Sequence, residues 1–265
     1  MLRRYRTDRF VTPAPTPFAL LRRAEDALLA ALPDDFRMLT LSPLVPLATH
    51  TAVATVDPRK VVATVRGSEV AADPTNGLAL EAARRRTRAL TLDPRSAVPV
   101  RLAASQRVVR AQHFDAPGML AHFQLFALAT AGRDTGALAF EQQHLLEHLQ
   151  FAVRALARAG VTRTGIRITC LDEAAAPLLA RARTELSGTP GVDIVEDPDR
   201  KTGRGYCTTL CYKLCATVDG RPLEVGDGGF VNWTQPLVGS RKERLLIGGL
   251  GIDRLAATLA PPTDT

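Results

Sequence analysis

Hydrophobic positions along the chain switch between a helical and a strand period, and the switches divide it into elements. Thr16-Pro17 reads as a helix start, because threonine can cap free amides and proline fits a first turn without losing a needed hydrogen bond. Phe18, Leu21, Ala24, Leu28 and Leu32 then recur at helical spacing until Pro33 stops the run. RMLTLSPLVP follows with strand character. TAVATV and KVVATV, separated by Asp57-Pro58, predict a hairpin, since β-branched residues suit a pleat and Asp-Pro suits a turn.

Leu78 to Leu90 reads as a helix. Strands are expected over VRLAASQRVVRAQ and LAHFQLFALATA, with Asp115 to Gly118 as the turn between them. From Phe140 to Ala159 the spacing of Leu145, Leu149, Val153 and Leu156 predicts an amphipathic helix ended by Gly160. The strand GIRITCL and an alanine-rich helix come next. The last third reads as three strands, GYCTTLCYKLCATV, PLEVGDGGFVNW and RLLIGGLG, before a helix starting near Ile252. Strands outnumber helices and arrive partly in adjacent pairs, which predicts an α+β protein with an antiparallel or mixed sheet. No repeat or linker divides the chain, so one domain over residues 1–265 is expected, with residues 1–15 and 258–265 flexible.

A hydrophobic content of 46% over 265 residues supplies a sizeable core. No stretch reaches the roughly 18 apolar residues of a membrane span, and MLRRYRTDRF leads into no apolar signal core. A cytoplasmic protein is expected. Cys170, Cys207, Cys211 and Cys215 are too few for a disulfide scaffold, which suits a reducing compartment. The net charge of +7 favours polyanionic ligands, but its arginines are scattered. The one dense run, Ala83 to Arg88, reads as a solvated helix face before it reads as an RNA contact.

The most informative segment is GGLGIDRL, Gly248 to Leu255, a glycine-rich strand end running into a helix with Arg254 in its first turn. Glycine lets a ligand approach the backbone, and arginine offers a planar fork to phosphate oxygens. In RVVRAQ, Arg110 and Gln112 share a strand face. His122 and Gln124 do the same in LAHFQLF. Paired, these strands would form a nucleotide floor; the plain alternative is an ordinary polar sheet face.

RVVRAQ followed by HFQLFALATAG resembles motif 2 of the class II aminoacyl-tRNA synthetases, and GGLGIDRL resembles motif 3. The helix and strand from Thr16 to Pro46, ending in SPLVP, resemble motif 1, which in that class makes the dimer interface. ADPTNGLALEAARR resembles the "RPEGT" segment of the histidyl enzymes, while GYCTTLCYKL and GDGGFVNW resemble their "YYTGTVFE" and "GGRYD" strands. The resemblance covers almost the whole chain in order. It implies a class II synthetase-like antiparallel or mixed sheet flanked by helices, an ATP site using Mg2+, an amino-acid-like substrate and a homodimer. Arg110 would grip the α-phosphate and the substrate carboxylate, and Arg254 the γ-phosphate. Gln112 and His122 would meet the adenine. Thr75, Gln124, Arg204 and Asp227 would surround the substrate.

The departures are specific. Gln112 replaces the motif 2 glutamate, His122 the adenine-stacking aromatic, Thr75 the glutamate of "RPEGT" and Leu128 the glutamate that meets the substrate amine. "GGRYD" has become GGFVN, Gly228 to Asn232, which argues against histidine as substrate. No anticodon-binding domain is expected after Arg254. The implied activity is therefore that of a paralogue, an ATP-dependent ligase making an acyl-adenylate for a tRNA, a carrier protein or another acceptor. The alternative is a catalytically silent regulatory subunit, like the histidyl-like subunit of ATP phosphoribosyltransferase.

Single features have rival readings. HLLEH matches the H-x-x-E-H zinc-protease pattern, with His144 and His148 as ligands and Glu147 as base. The solvated helix face is the plainer reading, and no metal is assigned there. Cys207, Cys211 and Cys215 share parity, so one strand would align them, and core packing is favoured over metal or redox chemistry. Asp227 reads equally as an amine receptor or a turn residue, and Arg204 as a site or a loop arginine. Trp233, the single tryptophan, reads as core or interface.

Overall fold

A computed structural model describes residues 1–112, 120–218 and 220–259. The turn expected at Asp115 to Gly118 and the tail from Ala260 lie outside the described residues. The chain opens with α1 (Leu2–Thr7) and α2 (Phe18–Ala31), followed by β1 (Arg37–Leu39), β2 (Leu44–Pro46) and β3 (Ser68–Val70). Then come α3 (Pro74–Leu92), β4 (Val100–Val109), β5 (His122–Arg133), α4 (Ala139–Arg158), β6 (Thr164–Cys170), α5 (Ala176–Leu186) and β7 (Val192–Glu196). The last part holds β8 (Leu210–Val218), β9 (Arg221–Val231), α6 (Thr234–Val238), β10 (Glu243–Gly251) and α7 (Ile252–Thr258).

Eight strands form one sheet in the order β1-β4-β5-β10-β9-β8-β6-β7, with β2 and β3 as a separate pair. The inner pairs are antiparallel, while β1 joins β4 and β7 joins β6 in parallel. The mixed sheet read from the sequence is therefore present.

The two faces of β5 differ in size, and this sets the layers. Phe126 and Leu128 project into a large core with α2, α4, α5 and α7, joined by the buried Leu145, Leu149 and Leu156 of α4. Each such leucine contributes about 2 kcal/mol by leaving water. Ala127, Ala129 and Ala131 project to the other side, where Leu78, Ala79 and Ala82 of α3 meet them. Small residues on both surfaces let α3 lie close on the sheet. Gly160 ends α4 at φ 90°, a conformation costly for residues with a Cβ.

Several local expectations are corrected. Thr16 does not cap α2; its hydroxyl reaches Asp253 at 3.3 Å, and the helix has no side-chain cap. RMLTLSPLVP divides between two sheets, β1 pairing with β4 and β2 with β3. The TAVATV/KVVATV hairpin is replaced by a helical turn (Thr49–Val53) and a 3-10 turn (Pro58–Lys60), with one isolated bridge, Ala63 to Glu69. Burying His50 against Glu69 outweighs the strand preference of the valines. The α3 helix starts four residues before Leu78, because Asp73 caps it and Pro74 fills its first turn. GYCTTLCYKLCATV becomes strand only from Leu210, so Cys207 lies outside it. The arginine run is not a solvated face throughout: Arg84 and Arg85 pair with Glu81, but Arg86 is fully buried against Glu243.

Candidate functional site

A cavity of about 660 Å³ opens on the α3 face, over β5, β10, β9 and the start of α3. That volume is typical of small-ligand sites. Arg110 enters it from the end of β4. Its Nη2 donates to Asp73 Oδ2 at 2.8 Å, its Nε donates to Ala72 O at 3.0 Å, and its guanidinium lies 5.1 Å from the Phe123 ring centre.

The segment holding Arg110 is itself held by a buried chain. Ala72 N–H donates to His50 Nε2 at 2.9 Å, which puts the His50 proton on Nδ1, 2.5 Å from Glu69. Burial pushes the Glu69 carboxyl upward, but hydrogen bonds from the His50 amide, the His50 ring and the Ala48 amide outweigh it and hold the group below its ordinary range.

Arg254 lines the same cavity from the first turn of α7, its Nη1 donating to Glu224 O at 3.1 Å. Gln112, Thr75 and Asp227 also line it. Thr75 donates its hydroxyl to Asp73 Oδ1 at 2.7 Å. Asp227 keeps 44% of its side chain open to the cleft, yet the protein around it desolvates the carboxyl enough to raise its pKa; Arg200 opposes this and Asp73 adds to it.

Other expected residues are placed elsewhere. His122 and Gln124 do share a face, but it is the face away from the cleft. Both His122 nitrogens are committed, Nδ1 accepting from Arg107 Nε at 2.9 Å and Nε2 donating to Thr12 O at 2.7 Å. Gln124 borders the cavity, but its side chain turns to Ser105 at 2.9 Å, and Ser105 in turn donates to Glu25 of α2. The cleft face of β5 carries Phe123, Leu125 and Ala127 instead. Leu128 points into the opposite core, so it does not mark a substrate position. The error is a shift of one residue, which inverts every side chain on a strand.

Arg204 is outside the cavity, donating to Arg200 O at 3.2 Å. From that loop it is Arg200 that lines the cavity, beside Arg110 and Arg254. Almost fully buried, it donates to Thr202 O and Gly203 O and lies 3.5 Å from the Asp227 carboxylate as an ion pair, while its Nη1 has no hydrogen-bond partner among the described residues. Trp233 also lines the cleft, its ring 6.0 Å from that of Tyr206. Arg200, Phe123 and Asp73 were missed because nothing in their local sequence sets them apart.

The glycine run has two duties. Gly249 and Gly251 border the cleft, where a ligand can approach them. Gly228 and Gly248 border it too, and on the other face they make room for the Tyr212 ring, whose hydroxyl would clash with a Cβ at either position.

In the HLLEH segment, Glu147 accepts from Arg101 (2.9 and 2.8 Å), Gln143 (2.9 Å) and His144 (2.8 Å). His148 Nε2 meets Thr130 at 2.9 Å. Burial raises the Glu147 carboxyl, but these bonds overturn that and hold it far below its usual range. Among the described residues no group of three or more histidine, cysteine, aspartate or glutamate side chains is placed to hold a metal. The helix face is buried and bonded rather than solvated.

No family model matches the sequence, and no curated protein matches it. Solved structures do resemble the fold. The apo histidyl-tRNA synthetase of S. aureus superposes with a TM-score of 0.66 at 13% identity, over 91% of this chain and 65% of its own. An ATP phosphoribosyltransferase regulatory subunit/histidyl-tRNA synthetase from Bacillus halodurans gives 0.66 at 15%, over 95% and 84%. A histidine–tRNA ligase subunit from Alicyclobacillus acidocaldarius gives 0.68 at 15%, over 93% and 94%. The chain thus spans just under two thirds of the first of these proteins. It carries a class II synthetase-like fold.

Proposed function

We propose that the cleft binds ATP with Mg2+ and activates an amino acid or related small acid as its acyl-adenylate. The observation that carries this reading is that Arg110 and Arg254, from the segments resembling motifs 2 and 3, line one cavity together with Phe123. Fixed guanidinium groups stabilise charge developing at the α-phosphorus without reorganising, and Phe123 offers a ring for the adenine. Bound ATP would supply the electrophilic phosphorus, with pyrophosphate as leaving group. Glu224 and Asp227 give the cleft hard oxygen donors, which fit Mg2+ shared with phosphates. Asp227 and Arg200 offer one charge of each sign to an amino-acid-like substrate. The acyl acceptor, a tRNA or a carrier protein, belongs to the same proposal, as does a cytoplasmic location; no described helix is long and apolar enough to cross a membrane.

One observation favours a second reading, a silent regulatory subunit: Arg110 is paired with Asp73, which would compete with a phosphate for it. ATP-dependent pyrophosphate exchange, screened over a panel of amino and related acids, separates the two. Exchange that is lost in both Arg110→Ala and Arg254→Ala supports the ligase. ATP binding with no exchange for any acid supports the silent subunit.

A homodimer through α2 and β2 is part of the proposal. Leu44 is 41% exposed while Val45 is buried, so a charge belongs at Leu44. Leu44→Asp should give a monomer in light scattering if β2 forms the contact.

A further inference from the structure

Cys207 and Cys211 converge over Gly229 beside the wall of the cleft. Cys207 follows Tyr206 in the loop that carries Arg200 and Gly203, and Cys211 is the second residue of β8. A Cβ added to Gly229 would stand 2.8 Å from the Cys207 sulfur and 2.9 Å from the Cys211 Cβ, so the glycine leaves the two thiols room to meet. Both are free, Cys207 half-buried and Cys211 fully buried. Core packing, as read from the sequence, is what Cys211 and Cys215 show, both being buried, and Cys207 packs against the smaller core.

We propose that Cys207 and Cys211 form a reversible disulfide, with a low-molecular-weight disulfide as oxidant, and that closing it changes the cleft wall carried by Arg200, Gly203 and Tyr206. Two observations prepare the chemistry. The neighbouring Cys207 thiol lowers the Cys211 thiol despite burial, while its own is raised, and Arg200 adds to the lowering at Cys211. Arg200 is also the buried cation whose Nη1 has no partner among the described residues, so an anionic sulfur nearby is favoured.

The step balances as thiol–disulfide exchange. Cys207, the more accessible sulfur, attacks the small disulfide and passes its proton to the Cys211 thiolate, and one small thiolate leaves. That thiolate takes the proton from Cys211. Cys211 then attacks the Cys207 sulfur and releases the second small thiolate. The sum is one protein thiol, one protein thiolate and one small disulfide giving a protein disulfide, a small thiol and a small thiolate.

Trypsin cleavage after Arg204 and Lys213 puts both cysteines on one peptide, residues 205–213, with Cys170 and Cys215 on others. The folded protein is treated with oxidised glutathione, alkylated and digested. Peptide 205–213 should be recovered unalkylated and two hydrogen atoms lighter, with Cys170 and Cys215 alkylated. Cys211→Ser should instead retain glutathione on Cys207. Fluorescence of Trp233, the only tryptophan and a neighbour of Tyr206, should change on oxidation and return with dithiothreitol. Alkylation of both cysteines, a Cys170–Cys211 link, or the same disulfide yield from protein unfolded in urea would overturn the pairing. An unchanged Trp233 signal with the disulfide formed would overturn the effect on the cleft. None of these readouts depends on ATP.

Discussion

Asp73 divides its carboxylate between a helix and a site: Oδ1 accepts the Thr75 amide at 2.9 Å and caps α3, while Oδ2 accepts Arg110 Nη2 at 2.8 Å. The start of α3 and the aim of the central arginine are thereby one feature. Asp73→Asn should separate the two roles, because asparagine caps a helix about as well as aspartate. Thermal stability should change little, and ATP should bind severalfold more tightly, since a carboxylate facing the phosphates is gone. Weaker ATP binding in calorimetry would mean that Asp73 chiefly positions Arg110.

Arg86 and Glu243 are both fully buried and tie α3 to β10, with Arg86 also donating to Val98 O at 2.8 Å and Ser96 O at 2.9 Å. Removing one member leaves a buried charge uncompensated, which costs about 3–5 kcal/mol. Arg86→Ala should lose that much in urea denaturation. A loss below about 1 kcal/mol would show that water reaches the pair.

How much of this was legible in the sequence depends on what kind of signal each feature leaves. The α4 stripe and the central strands were readable because one buried face imposes one period. The helical turn at Thr49–Val53, where a hairpin was expected, was not, since His50 is buried there against Glu69, 19 residues away. Arg110, Arg254, Gln112, Thr75 and Asp227, singled out by motif order, do line one cavity. His122 and Gln124 were misplaced because a strand's register shows which residues share a face, not which face meets the cleft. Arg200 displaced Arg204 because an irregular loop has no period to read.

Tyr212 lies across Gly228 and Gly248, but not equally. With its hydroxyl removed, a Cβ at Gly248 would next meet His148 Nδ1 at 3.3 Å and the tyrosine Cζ at 3.6 Å, whereas one at Gly228 would still face Ile247 O at 2.5 Å. Gly248→Ala and Gly228→Ala should each cost about 1–3 kcal/mol through overpacking. Adding Tyr212→Phe should rescue the first and not the second. Equal rescue of both would contradict the geometry.

His148 is buried, and desolvation, with His144 as the next cause, lowers its pKa from 6.5 to about 3. The unfolded chain therefore binds a proton that the folded protein refuses between these values. Stability should fall as pH drops from about 6.5 toward 3, by on the order of 1.4 kcal/mol per unit from this group. His148→Gln should flatten that part of the profile. An unchanged slope would mean that His148 protonates in the folded state.

Arg110 and Arg254 are proposed to form one phosphate site, and equilibrium ATP titration in the presence of Mg2+ reads that pairing. Each arginine should contribute about 1.5–3 kcal/mol through charge-assisted hydrogen bonds, so Arg110→Ala and Arg254→Ala should each weaken ATP roughly ten- to a hundredfold. Wild-type protein that binds no ATP, or variants that bind it as tightly as wild type, would mean that the two arginines form no phosphate site.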